Sequence, residues 1–148
     1  ERQRHVLNDK LKKVVHKLSG HKPCRSMVIA YQARKKGKVV GTAYFDRHRV
    51  RSQRELVMIV VSPENKVGRI EVISFGEPLD YLPRGRFYAQ FLGRGLSDQL
   101  STKGVIRSVV GSTLTVNATT AAVRRILATH EVLNPKAKPV VKATPTRK

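Results

Sequence analysis

The sequence predicts an α+β fold, a twisted antiparallel β-sheet meander with N-terminal and C-terminal helices packed on it. Four runs rich in β-branched residues follow one another through connections of a few residues, too short for the crossovers that parallel strands require. One amphipathic helical pattern precedes these runs and a second helical pattern follows them. At 148 residues the chain is long enough for one domain to bury its own core.

Residues 5–18 set Leu7, Leu11, Val14, Val15 and Leu18 at helical spacing, with Lys10, Lys12, Lys13 and Lys17 opposite. This helix is expected to stop at Ser19-Gly20, and Pro23 breaks the pattern. Met27 to Arg34 and Val39 to Phe45 read as strands joined at Lys36-Gly37-Lys38, a hairpin. A third strand runs from about Glu55 to Val61, turns at Ser62-Pro63-Glu64-Asn65-Lys66 and continues as a fourth, Val67 to Phe75. Gly76-Glu77-Pro78 ends the sheet.

Between Tyr81 and Gly95 the aromatics Phe87, Tyr88 and Phe91 suggest a short helix or ordered loop packed on the sheet. The last helix is expected to begin near Thr115 or Asn117, either of which can cap it. Ala122, Val123, Ile126 and Leu127 would share its buried face, leaving Arg124 and Arg125 to water. The expected organisation is a domain over 1–133, with 1–22 as N-terminal helix and lead-in. Residues 134–148 carry three prolines, four lysines and an arginine, the composition of an extended, mobile basic tail.

Thirty Lys and Arg against ten Asp and Glu give a formal net charge of +20, a field that draws anionic partners. Aromatics at 5% offer few platforms for stacking bases, so nucleic acid is not the favoured partner. The longest apolar runs, such as Val57 to Val61, fall far short of the roughly 20 residues that span a bilayer. Cys24 is the single cysteine; it excludes an internal disulfide and reads as a buried, inert thiol. The five histidines are scattered without metal or haem spacing and read as surface or supporting groups. Nor does any Ser-His-Asp arrangement emerge. Glu1 rather than Met opens the chain, as in a processed or trimmed product.

The most informative stretch is Gly111-Ser112-Thr113-Leu114-Thr115, a turn leading straight into a helix. Hydroxyls and unpaired N–H groups there converge on the positive end of the helix dipole, and Gly111 lets a ligand approach the backbone, which suits a phosphate. Spacing alone leaves a plain helix cap open beside that reading.

The same stretch, Val110 to Thr115 followed by Asn117-Ala118 and Ala121 to Leu127, resembles the Ser-Gly-Ala-Thr-hydrophobic-Thr signature of the FMN-binding domain family. That family includes the FMN-bearing subunits of sodium-pumping NADH:quinone reductase and of the related ferredoxin-linked electron-transport complex. Further resemblances fall in the family's order. They are Gly37 to Tyr44, Val61 to Val67, Phe75-Gly76-Glu77-Pro78 with Asp80-Tyr81-Leu82, and Gln90-Phe91-Leu92-Gly93, so that the likeness covers about 27–133.

The resemblance implies a flavin electron carrier in a larger redox assembly, with FMN joined to Thr113 as a phosphoester by a flavin transferase. Gly111, Ser112, Leu114 and Thr115 would surround the attachment point. Glu77, Pro78, Tyr81, Leu82 and Gln90 would contact the ring or ribityl chain. The sequence departs from the family at Arg107, where an acidic residue is usual, and at Val110, where a Ser is usual. Covalent FMN, FMN held without a bond and loss of flavin with the fold retained are therefore all open. Implied partners are redox proteins, an acidic cytochrome or membrane electron-transport subunits, at an extracytoplasmic, periplasmic-side and membrane-associated location. The competing reading is a basic nucleic-acid-binding or scaffold domain that uses Arg47, Arg49, Arg51, Arg54 and the Lys-rich tail.

Overall fold

The computed structural model describes residues 1–23 and 25–134. Cys24 and the tail beyond Asn134 lie outside the described residues, and with them the expectations of a buried thiol and a mobile tail. The elements are β1 (Arg2–Val6), α1 (Asp9–Ser19), β2 (Met27–Lys35), β3 (Lys38–Arg49), β4 (Arg54–Val61), β5 (Val67–Phe75), α2 (Gly85–Ala89) and α3 (Thr113–Leu133). The strands form one five-stranded antiparallel sheet in the order β1-β2-β3-β4-β5. The α+β meander with a helix near each end of the chain is thus the architecture.

One strand was not expected. β1 pairs with β2 across the whole of α1, from Arg2↔Tyr31 to Val6↔Met27, so the chain opens as an edge strand and His5 is extended rather than helical. The helix begins only at Asp9, where Asn8 Oδ1 accepts the Leu11 N–H at 2.8 Å. It ends where Gly20, at φ 80°, turns left-handed and returns its N–H to His16 O. The β2–β3 hairpin closes through Lys36 and Gly37, both at positive φ, the two-residue connection whose twist matches that of the strands.

Alternation fixes the faces. Glu55, Val57, Ile59 and Val61 of β4 and Thr42, Tyr44, Asp46 and His48 of β3 are buried on one side. α3 lies on β3 and β4, and α1 packs on α3. Phe87, Phe91, Leu100 and Ile106, from the segment that links β5 to α3, join the same core cluster. On the opposite sheet face Tyr31, Phe45 and Ile73 are exposed.

β2 does not follow β3 to its end. Their register runs from Lys35↔Lys38 to Ala30↔Tyr44, whereas β3 stays paired with β4 out to Arg49↔Arg54. From Phe45 onward, β3 has a neighbouring strand on one side only.

α3 starts at Thr113, earlier than the Thr115 or Asn117 expected, because Ser112 occupies the N-cap position. Twelve of its 21 residues are buried, so its surroundings close over more than the one apolar stripe of a surface helix. Arg124 and Arg125 accordingly do not face water. Arg124 donates to Ser19 O at 2.7 Å and Leu100 O at 3.1 Å, tying α3 to the end of α1, and Arg125 is buried. Among the described residues no helix is long and apolar enough to cross a membrane.

Candidate functional site

The N-terminus of α3 opens on a cleft of about 260 Å³ lined by Val50, Arg51, Glu77, Tyr81 and the turn Gly111 to Thr115. Three segments far apart in sequence meet there: the β3–β4 turn, the chain leaving β5, and the turn into α3. The first hydrogen bond of α3 runs from Val116 N to Ser112 O, and Ser112 gives no side-chain cap. The N–H groups of the first turn therefore have no helical acceptor. Thr113 is exposed at the first helical position, and Gly111, at φ 85°, has open space where a Cβ would stand.

Seven residues expected from the sequence line this cleft: Gly111, Ser112, Thr113, Leu114, Thr115, Glu77 and Tyr81. Their roles are not uniform. The Thr115 hydroxyl donates to Tyr81 O at 2.7 Å and so ties the helix to the loop after β5. Glu77 is a buried acceptor, its Oε2 taking the N–H groups of Arg51, Ser52 and Gln53 at 2.9, 2.8 and 2.8 Å. Those bonds, the one from Gln53 foremost, hold its carboxyl below the usual range. The β3–β4 turn is thus folded around Glu77, which shapes one wall of the cleft.

Pro78, Leu82 and Gln90 are not among the lining residues. Pro78 is exposed and Leu82 half-buried. Gln90 brackets Arg107 instead, accepting its N–H at 2.6 Å and donating to its carbonyl at 3.1 Å. It fixes the approach to the turn and is not among the residues that line the cleft. Arg107 and Val110, the two departures from the family signature, are both exposed. Arg51, by contrast, is a lining residue that resemblance did not single out.

Deeper in the protein lies a second cluster that sequence reasoning missed. The ring of His48 sits between two carboxylates, Nδ1 at 2.9 Å from Asp46 Oδ1 and Nε2 at 2.7 Å from Glu55 Oε1. Thr119 donates to Glu55 Oε1 at 2.9 Å, and Arg125 Nη2 to Asp46 Oδ1 at 3.0 Å. Burial disfavours the charged ring, yet the bonds to Asp46 and Glu55 outweigh it and hold His48 above its ordinary value. Burial likewise opposes ionisation of Asp46, and the bonds from His48 and Arg125 prevail to hold it low. Both ring nitrogens of His48 face carboxylate oxygens, the arrangement in which an imidazolium donates from each. Among the described residues Glu55 Oε2 and Tyr88 Oη lack partners; burial and then the Glu55 charge push Tyr88 up. Among the described residues no group of three or more His, Cys, Asp or Glu is placed to hold a metal ion.

His130 is the opposite case, neutral and buried. The Tyr44 hydroxyl and His130 Nδ1 share a hydrogen bond of 2.6 Å, and burial lowers the His130 pKa to about 4. Of the expectation that the histidines serve surface or supporting roles, the surface placement fails for His48 and His130, both buried.

The two histidines are expected to set a pH optimum of stability. Stability from charged His48 is fully present below its unfolded value of 6.5 and is lost as pH rises through its higher folded value. Neutral His130 acts in the other direction, losing about 1.4 kcal/mol for each pH unit as pH falls from 6.5 to about 4. Urea unfolding at pH about 5, 6.5 and 8 is expected to show greatest stability at the middle value. A flat profile would mean that neither ring is held as described.

No family model, curated protein or solved structure matches the chain.

Proposed function

We propose that this chain is a flavin electron-carrier domain that holds FMN at the α3 N-terminus, with Thr113 as the phosphoester acceptor. The observation that carries the reading is the cleft itself: Glu77, Tyr81 and Gly111 to Thr115, marked by sequence resemblance in separate segments, line one cavity. The residues fit an anionic phosphoester. The uncapped first turn presents N–H donors and the positive end of the dipole, Arg51 adds a cation, and Gly111 leaves room for close approach.

FMN supplies reversible one- and two-electron chemistry, while the protein supplies binding, orientation and local charge. Here Thr113 anchors, Arg51 and the helix terminus hold the phosphate charge, and Tyr81 offers a ring at the mouth. A volume of about 260 Å³ is smaller than the roughly 300–1,000 Å³ of pockets that enclose a drug-sized ligand. The cleft would therefore grip one part of the cofactor and leave an edge open for electron exchange. The +20 charge suits an acidic redox partner in a larger assembly, placed on the periplasmic side of a membrane.

Intact mass and the absorption spectrum of native protein, before and after denaturation and desalting, test the reading. The expected result is a mass gain of one FMN less water and a yellow protein, both lost in Thr113→Ala. Colour released by denaturation would replace the phosphoester by a non-covalent site. Colourless protein isolated with its native assembly would favour the scaffold or nucleic-acid reading, for which the exposed Tyr31 and Phe45 on the open sheet face would be the platform.

A further inference from the structure

A second cavity, about 540 Å³, lies where β2 leaves β3. Val28 and Ile29 of β2 form one wall and Tyr44 and Phe45 of β3 the other, with Ile126 of α3 beneath. It shares no lining residue with the cleft at the α3 N-terminus. Its size is within the range of small-molecule pockets, and its form, a gap between two strands, suits a flat or extended apolar body.

The polar end is built by α3. Arg125 and Thr129, one turn apart on the same helix face, both line the cavity. The Arg125 guanidinium carries five N–H donors. Its side chain is 10% exposed and bonds Asp46 through Nη2 at 3.0 Å; among the described residues Nε is unpartnered but sealed, and Nη1 makes no hydrogen bond, which leaves Nη1 as the donor for the cavity. A buried guanidinium with donors to spare calls for an acceptor. Asp46, itself a lining residue, takes one Arg125 donor through Oδ1, the oxygen that also bonds His48. The other charged lining residues, Arg25 and Arg47, are both cations, so the field in the cavity favours an anion.

From this juxtaposition we infer that the gap between β2 and β3 binds an amphipathic carboxylate, its apolar body between the strands and its head on Arg125 and Thr129. The inference stands apart from the flavin reading and holds whether or not FMN is bound.

Calorimetric titration of the full chain with octanoate, below its micelle threshold, tests it. Saturable one-to-one binding is expected, with acetate much weaker for want of an apolar body and octylamine silent for want of an anion. Arg125→Gln is expected to weaken octanoate at least about tenfold. Since that variant disturbs Asp46 and can compromise folding, Val28→Trp, which fills the gap and leaves the charged cluster intact, is expected to abolish binding independently. Absence of saturation, equal binding of octylamine, or binding unchanged in Val28→Trp would each overturn the inference, the last by showing association with the basic surface alone.

Discussion

His48→Ala is expected to cost about 3–5 kcal/mol of stability, the range for breaking a buried ion pair from one side. The substitution leaves Asp46 and Glu55, with side chains 6% and 0% exposed, with Arg125 bonded to Asp46 and, among the described residues, no cation bonded to Glu55. Neither carboxylate can recover water without opening the contact of α3 with β3 and β4. At about 2–4 °C per kcal/mol for a domain of this size, thermal unfolding should fall by roughly 10 °C. Replacing the cluster as a whole by apolar residues of similar volume should cost far less, because no charge is stranded. A loss of under about 1 kcal/mol in His48→Ala would show that the cluster is hydrated and that the pH optimum has another source.

Glu77→Ala is expected to act on the site more than on the core. Three backbone donors, Arg51, Ser52 and Gln53, lose their common acceptor, and the β3–β4 turn loses the group around which it folds. Amide exchange at those three positions should accelerate sharply, and flavin retention should fall with it because Arg51 and Glu77 both line the cleft. Glu77→Gln, which keeps a carbonyl oxygen but not the charge, should lie between the two. Unchanged protection of the three amides would remove Glu77 from its structural role.

The meander was legible because β4 alternates strictly and two of the turns carry their own chemistry, Gly37 between β2 and β3 and Pro63 to Lys66 between β4 and β5. β1 was not. Its five residues, Arg-Gln-Arg-His-Val, have no apolar alternation, its partner lies beyond α1, and Leu7 continues naturally into the helical pattern that follows. The turn Gly111 to Thr115 announced itself by local chemistry, and seven of the residues attached to it by resemblance do line one cleft.

What stayed hidden were pairings set by distance along the chain. Arg125 looked solvent-facing because its partner Asp46 is 79 positions away, and Glu77 read as a flavin contact, with its hold on the β3–β4 turn unseen, because the backbone groups it accepts from lie 24 to 26 positions earlier. Gln90 looked like a ligand contact for a related reason: its two bonds to Arg107 span 17 positions. Nothing local marks such residues, since the same side chains at the same spacing also occur on solvated surfaces.

The splitting of contacts between near and far neighbours also orders the way the chain assembles. The β2–β5 hairpins join residues close in sequence, whereas Glu55 meets Thr119 across 64 positions and Asp46 meets Arg125 across 79. Short loop closures come first, and long ones wait until the entropy of the larger loop is offset. Docking of α3 is then the late event, and with it Asp46 and Glu55 leave water and His48 takes up its proton. Loss of the His48 charge as pH rises through its raised folded value would then chiefly hasten the escape of α3 rather than slow the formation of the sheet.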